Sequence, residues 1–370
     1  MSGLKEGVGN HGADNIVILN IADIENNPYN GVCVVVPQHV NHESNFATVG
    51  FINVNNKKID GIDLQIAFNR PFDVNSLPEP FNKPDLVVFH EVYRPCYLKI
   101  AKNLKKNKVP YIIVPHGELT AEAQKKKHLK KIAANFLLFN GFINNSAAIQ
   151  CLSQREKDFT EFKKTKFIGT NGISVPEKRK TYFNSDKIDF AYIGRLEAHI
   201  KGIDLMIEAI SLKKEFLLKN NCRIALYGPD LFGRGDKIRE MIAERGVSEL
   251  ICLKNEVSGE EKEKILLDSD VFIQTSRSEG MPLGILEALS YGVPVFITEG
   301  TTLGGFVNRY DAGFVCETSA ESIADMFEQI VKDRESLPEK GMHAVKLIGD
   351  NFEWDKVIKS TFEIYKEMAH

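Results

Sequence analysis

The stretch Val271-Phe272-Ile273-Gln274-Thr275-Ser276-Arg277-Ser278-Glu279-Gly280-Met281-Pro282-Leu283-Gly284-Ile285-Leu286-Glu287-Ala288 carries a strand, a loop and a helix start in one line. Val271–Gln274 is a short apolar run of the kind buried in a parallel sheet. Gly280 permits a tight turn and close approach of a ligand to the backbone, and Pro282 suits the first turn of a helix. The spacing predicts a helix over Leu283–Tyr291, ended by Gly292. Its free N–H groups and positive dipole end would face the loop, which makes a seat for a diphosphate. Glu279 falls in that loop and Glu287 just over a turn into the helix, so the two carboxylates can hold different parts of one ligand. The competing reading, a helix with a solvated Glu at each place, is weakened by the glycine, the proline and the strand-end context.

Outward from this unit, short apolar runs alternate with amphipathic helices. Ile16–Ile21, Val32–Val36, Val49–Val54, Leu86–Phe89 and Tyr111–Val114 are predicted as strands in the first half. Asp189–Ile193, Arg223–Tyr227, Val271–Gln274, Val293–Ile297 and Gly313–Val315 are predicted in the second, with helices over Leu205–Phe216, Lys237–Arg245 and Glu260–Leu267. This alternation predicts an α/β fold of doubly wound parallel sheets covered on both faces. The pattern breaks at Val175–Asp186, a polar stretch with a proline that reads as a linker. At 370 residues the chain exceeds the roughly 250–300 that one core supports. Two Rossmann-like domains are expected, residues 1–175 and 187–352, with a helix over 353–370 that can cross back to the first.

The composition, 43% hydrophobic and 26% charged with net charge −3, is that of a globular protein without a global pull toward nucleic acid. Cys33, Cys96, Cys151, Cys222, Cys252 and Cys316 form no CxxC pair, so neither a disulfide framework nor a zinc site is expected. No leader pattern and no apolar run of about 18 residues is seen, which leads to the expectation of a cytoplasmic protein. Gly7-Val8-Gly9-Asn10-His11-Gly12 fits GxGxxG but precedes the first strand, so no dinucleotide site is expected there. Asp268-Ser269-Asp270 has metal-binding spacing. It lies at the amino end of a strand, the wrong end for a ligand in a parallel sheet, and no metal is expected. Lys125–Lys131 runs into the Phe- and Leu-rich Ile132–Phe142. Peripheral contact with an anionic membrane and a solvated helix end are weighed evenly for it.

Other strand ends collect candidate residues. Gly194-Arg195 follows one strand, and Lys201-Gly202-Ile203-Asp204 opens the next helix. Arg195 and Lys201 could neutralise a diphosphate without a metal, and Asp204 could cap the helix or orient Lys201. Tyr227-Gly228-Pro229 ends a further strand and could border a nucleotide, or be only a turn. In the first half, Pro115-His116-Gly117 follows a strand, and Tyr29-Asn30-Gly31-Val32 reads as a tight loop.

Together these motifs resemble the retaining glycosyltransferases of family 4, which adopt the GT-B fold. Glu279 to Glu287 is similar to the E-x7-E signature, Gly194-Arg195 with Lys201-Gly202-x-Asp204 to the G-R…K-G-x-D segment, and Pro115-His116-Gly117 to the P-H-G segment. The resemblance implies two Rossmann-like domains facing each other across a cleft, with the donor held mainly by the second. It implies Glu287 on the ribose, Glu279 on the donor sugar, Gly280, Met281, Pro282 and Leu283 on sugar and diphosphate, Arg195 and Lys201 on the leaving group, and His116 near the sugar 6-hydroxyl. Gly31 stands where the family has a richer glycine loop. The expected reaction moves a hexose from a nucleotide-sugar, UDP-sugar favoured, to a glycan or lipid-linked saccharide in bacterial surface polysaccharide synthesis, without a metal or other cofactor. A nucleotide-sugar epimerase and a silent nucleotide-sugar-binding protein are the alternatives, told apart by turnover without acceptor and by the effect of Glu279→Ala.

Overall fold

A computed structural model describes residues 16–120, 138–230 and 233–369. The Gly7–Gly12 stretch and the Lys125–Lys131 cluster lie outside them. The first half contributes β1 (Val17–Ala22), β2 (Thr48–Asn53), β3 (Gln65–Ile66), β4 (Leu86–His90), β5 (Tyr111–Val114), β6 (Ala148–Cys151) and β7 (Lys166–Ile168), in the order β3-β2-β1-β4-β5-β6-β7. The second contributes β8 (Ile188–Ile193), β9 (Cys222–Tyr227), β10 (Ile251–Lys254), β11 (Val271–Gln274), β12 (Val295–Thr298) and β13 (Gly313–Cys316), in the order β10-β9-β8-β11-β12-β13. All these pairings are parallel. β4, β5, β11 and β12 are buried along their whole length, which is why they read as apolar runs without alternation.

Strand order reverses beside β1 and β4 in the first sheet and beside β8 and β11 in the second. Loops on either side of such a point diverge and leave a crevice at the carboxyl ends of the strands. The loops that open there are those after β1, β4, β8 and β11, which fixes where a ligand can sit.

Several elements differ from their sequence reading. Val32–Val36 is part of the helix Gly31–Glu43, not a strand, and Asn30 is its cap rather than part of a tight loop. Asn30 Oδ1 accepts from Val32 N at 3.1 Å, satisfying one of the free donors of the first turn. The β-branched run suggests a strand, but Val36 is followed at helical spacing by Val40, and both are buried against the first sheet. β6, β7 and β10 are strands without a clear periodic signal. The stretch Leu205–Phe216 divides into helices Ile203–Leu212 and Lys214–Lys219.

Residues 174–187 form neither helix nor strand. The final helix, Trp354–Ala369, packs on the first sheet: Phe362 and Tyr365 share a core with Ile18, Val88 and Ile112. Tyr365 Oη donates to Gln150 Oε1 at 2.6 Å. Where the chain passes between the sheets, Ile173 N donates to Phe352 O at 2.7 Å, and Ile173 bridges Glu353 in parallel. Gly172 lies so close to Trp354 that a Cβ there would fall 2.5 Å from the indole Cδ2. Among the described residues no helix is long and apolar enough to cross a membrane.

Candidate active site

The second sheet builds one wall from two loops. After β8, the chain turns through Gly194, Arg195 and Lys201 into the helix that starts at Ile203. Gly202 makes this turn with a φ of 64°, and a Cβ there would fall 1.8 Å from Thr275 O. Only glycine lets this loop lie against the segment after β11. Thr275 Oγ1 donates to Gly202 O at 2.8 Å across the same contact. From the other side, Gly300 packs so that a Cβ would meet Ser276 O at 2.0 Å, and Glu279 N donates to Gly300 O at 3.0 Å.

This clamped loop delivers Glu279. Its Oε1 accepts from Lys201 Nζ at 2.6 Å, Gln274 Nε2 at 2.8 Å and Ser276 Oγ at 2.6 Å. Both partners of the ion pair are nearly buried, with side chains 13% and 12% exposed. Three donors converge on one carboxylate oxygen, and among the described residues no donor reaches Oε2. Gln274 and Ser276 were not singled out in the sequence. Their signal is polar residues at the carboxyl end of an otherwise apolar strand.

The helix Leu283–Ser290 begins beside this carboxylate. Pro282 precedes it without a side-chain cap, and the first intrahelical bond runs from Ile285 N to Pro282 O at 3.1 Å. The N–H groups of Leu283 and Gly284 therefore stand at an open, positive helix end. From the first sheet, the helix Gly31–Glu43 points its own N-terminus at the same place: a Cβ on Gly31 would sit 3.6 Å from Leu283 Cδ1. Two helix starts, one from each sheet, thus face each other across the cleft.

His116 follows β5 with a φ of 48°. Its Nε2 meets His90 Nδ1 at 3.2 Å, and His90 Nε2 meets Asn20 Oδ1 at 3.0 Å. Asn20 Nδ2 donates to Glu43 Oε2 at 2.7 Å. Burial, together with the neighbouring imidazoles, pushes both rings toward the neutral form, His116 to about 3 and His90 well below the usual range. Burial pushes the Glu43 carboxyl up to about 7 against the opposing effect of Asn20. The sequence singles out His116 but not His90, Asn20 or Glu43. Their signal is a His ending a fully buried strand, an Asn in the middle of β1, and a Glu on the buried face of a helix.

These walls enclose two adjoining cavities of 570 and 590 Å³ that share His116, Gly117, Arg195, Lys201, Glu279 and Gly280. Gly31, Gly194, Met281, Pro282 and Leu283 line the second cavity as well. Arg195 is half exposed, 3.5 Å from Glu197. Glu287, Tyr227 and Gly228 line neither cavity. Glu287 is ion-paired with Lys262. Gly228 serves backbone packing, since a Cβ on it would fall 2.0 Å from Gly194 O. Asp204 does not hold Lys201; it accepts from Arg277 Nη1 at 2.6 Å. Asp270, of the acidic pair at the amino end of β11, lies buried 3.4 Å from Lys180 Nζ.

Solved structures share this fold. A glycosyltransferase from Rickettsia africae superposes with a TM-score of 0.71 at 16% identity, covering 96% of this chain and 99% of that one. Anabaena HepE, solved in complex with UDP and glucose, superposes with a TM-score of 0.70 at 14% identity, covering 95% and 100%. The fold is thus the GT-B architecture of these solved enzymes, and one domain of the chain matches a family model. That domain is residues 175–343, which match the family model described as glycosyl transferases group 1. An uncharacterized glycosyltransferase of Methanocaldococcus jannaschii is 24% identical over 196 residues, 51% of this chain and 47% of that protein. The chain thus spans about half the length of this curated relative.

Proposed function

We propose that the chain transfers a hexose from a nucleotide-sugar, a UDP-sugar, to a glycan or lipid-linked saccharide with retention of anomeric configuration. The observation that carries this reading is the convergence on one cleft of Lys201, Arg195 and two facing helix N-termini around an anchored Glu279. Such a surface suits a diphosphate leaving group beside a polyhydroxylated ring. HepE, of the same fold, was solved with UDP and glucose.

In this reading Arg195, Lys201 and the N–H groups of Leu283 and Gly284 take up the charge that develops on the departing diphosphate. No metal is required of the site. Glu279 holds the sugar by hydroxyls donating to Oε2, while Lys201, Gln274 and Ser276 fix its orientation. His116 contacts the sugar from the opposite wall. The leaving phosphate oxygen takes the acceptor hydroxyl's proton as the C1–oxygen bond to the acceptor forms on the face from which the phosphate leaves. Glu287 reaches a ribose by exchanging Lys262 for its hydroxyls, and Tyr227 and Gly228 border the base. Residues 1–175 act as the acceptor-side domain, 187–352 as the donor side, and 353–370 as the returning helix. A cytoplasmic role in surface polysaccharide synthesis, with the membrane contacted through Lys125–Lys131, completes the proposal.

UDP at a hundred times its dissociation constant should stabilise the protein by about 2.7 kcal/mol, read as a thermal shift. NMR of the product should give the donor's anomeric configuration; an inverted product refutes retention. An isomerised donor formed without acceptor points to an epimerase instead. Failure to float with anionic liposomes removes the membrane contact.

A further inference from the structure

The chain His116–His90–Asn20–Glu43 runs from the cavity wall to the interface between the helices Gly31–Glu43 and Trp354–Ala369. Every link has a direction, and the direction can be followed from its buried end. An ionised carboxylate only accepts hydrogen bonds, so Glu43 requires the NH2 of Asn20 to face it. That turns Asn20 Oδ1, an acceptor, toward His90 Nε2, which must then carry its proton. A neutral His90 has one proton, so its Nδ1 is a lone pair and accepts from His116 Nε2. A neutral His116 in turn is left with a lone pair on Nδ1, and no partner for that atom is seen among the described residues.

We propose that Glu43, acting through Asn20 and His90, is a positioning residue that sets the tautomer of His116, so that His116 offers the cavity a hydrogen-bond acceptor at Nδ1. Resting on the reading of this cavity as a donor-sugar site, the inference makes a sugar hydroxyl the donor to that atom. Protonation of Glu43 releases the constraint. Asn20 can then rotate its amide, and each histidine keeps one proton but carries it on Nδ1, with Glu43 donating to Asn20 Oδ1. His116 then presents a donor instead.

The surroundings of Glu43 favour such a two-state group. It is 1% exposed, and its Oε1 has no hydrogen-bond partner. Tyr365 faces it from the last helix, and on its own helix stand His39, bonded to Asn171 Oδ1 at 3.1 Å, and His42, which meets Asp355 at 3.1 Å. Burial holds the His39 ring neutral as well, down to about 4. Among these described neighbours no lysine or arginine compensates a charge on Glu43.

The test is imidazole 15N NMR of the ligand-free protein, with His90 and His116 assigned by loss of signal in H90N and H116N. Above pH 8 both rings should show the Nε2–H pattern. Below pH 6 both should move toward Nδ1–H together, with one shared midpoint. Glu43→Gln, which keeps the shape of the side chain, should abolish that step. An Nδ1–H pattern for His116 at pH 8, or a step that persists in Glu43→Gln, overturns the proposal. The wild-type titration stands even if the variant is poorly folded. Because no nucleotide is present, failure of UDP to bind would refute the site reading without altering either outcome.

Discussion

Replacing Lys201 and Glu279 singly and together measures how far the proposed leaving-group cation is built into the scaffold. At 2.6 Å, the Coulomb attraction of two unit charges is roughly 6 kcal/mol for an effective dielectric of about 20. Desolvation of two nearly buried groups offsets much of it. Gln274 and Ser276 continue to donate to the carboxylate when Lys201 is removed, so the loss in Lys201→Met is softened. We expect Lys201→Met to cost about 2 kcal/mol, Glu279→Gln about 3, and the double variant about 2–3 less than their sum. Urea unfolding of the four proteins, with an unchanged dependence on denaturant, gives the coupling directly. Because the pair is buried, the coupling should persist at 0.5 M salt. A coupling below about 0.5 kcal/mol would show that the contact is not an energetic pair, and the anchoring argument for Glu279 would fail. In activity, each single variant should lose about 10²–10³ in kcat, the loss typical of removing a group that stabilises developing charge or orients its partner.

Gly202→Ala should cost at least about 2 kcal/mol and lower kcat, since a Cβ there meets Thr275 O and φ is positive; full stability by thermal melting would count against the loop packing. Glu43 carries a folded carboxyl pushed up to about 7 from an unfolded value of 4.5, so the native state binds the extra proton and its stability falls as pH rises through that window. The stability of wild type relative to Glu43→Gln should therefore drop by about 3 kcal/mol between pH 4.5 and 7.5, measured by denaturant titration. A flat difference refutes the shift. Tyr365→Phe removes the 2.6 Å bond to Gln150 Oε1 and should cost about 1–3 kcal/mol with kcat preserved, measured by urea unfolding and initial rates.

What could be read from the sequence was local. β5 and β11 have the bounds their apolar runs indicate, and the loop from Glu279 to Leu283 follows from a strand end, a glycine and a proline that lie within a dozen residues. Val32–Val36 misled because β-branched residues report a buried face in either state; the deciding feature, Asn30 as a cap, is one polar residue. Glu287 could be placed on a helix, but its pairing with Lys262 depends on how a second helix is laid alongside. The histidine chain was beyond reach for the same reason. Asn20, Glu43, His90 and His116 lie on β1, the helix Gly31–Glu43, β4 and the loop after β5, and the β1–β4 and β4–β5 pairings with that helix packed on the sheet bring them into line. No spacing rule connects residues 70 apart.

The two passages between the sheets, one before β8 and one into the last helix, lie side by side and are laced by the Ile173–Phe352 bond and the Gly172–Trp354 contact. Mechanically this is a pair of straps on one edge, not a single cord. A single cord lets the halves twist and slide; paired straps leave mainly rotation about the line through them, as in a door. Any closure of the cleft would then carry His116 toward Glu279 along one arc, and Gly31 would meet Leu283 at the same point on every swing. Lengthening the 174–187 segment alone would leave the second strap to hold that axis.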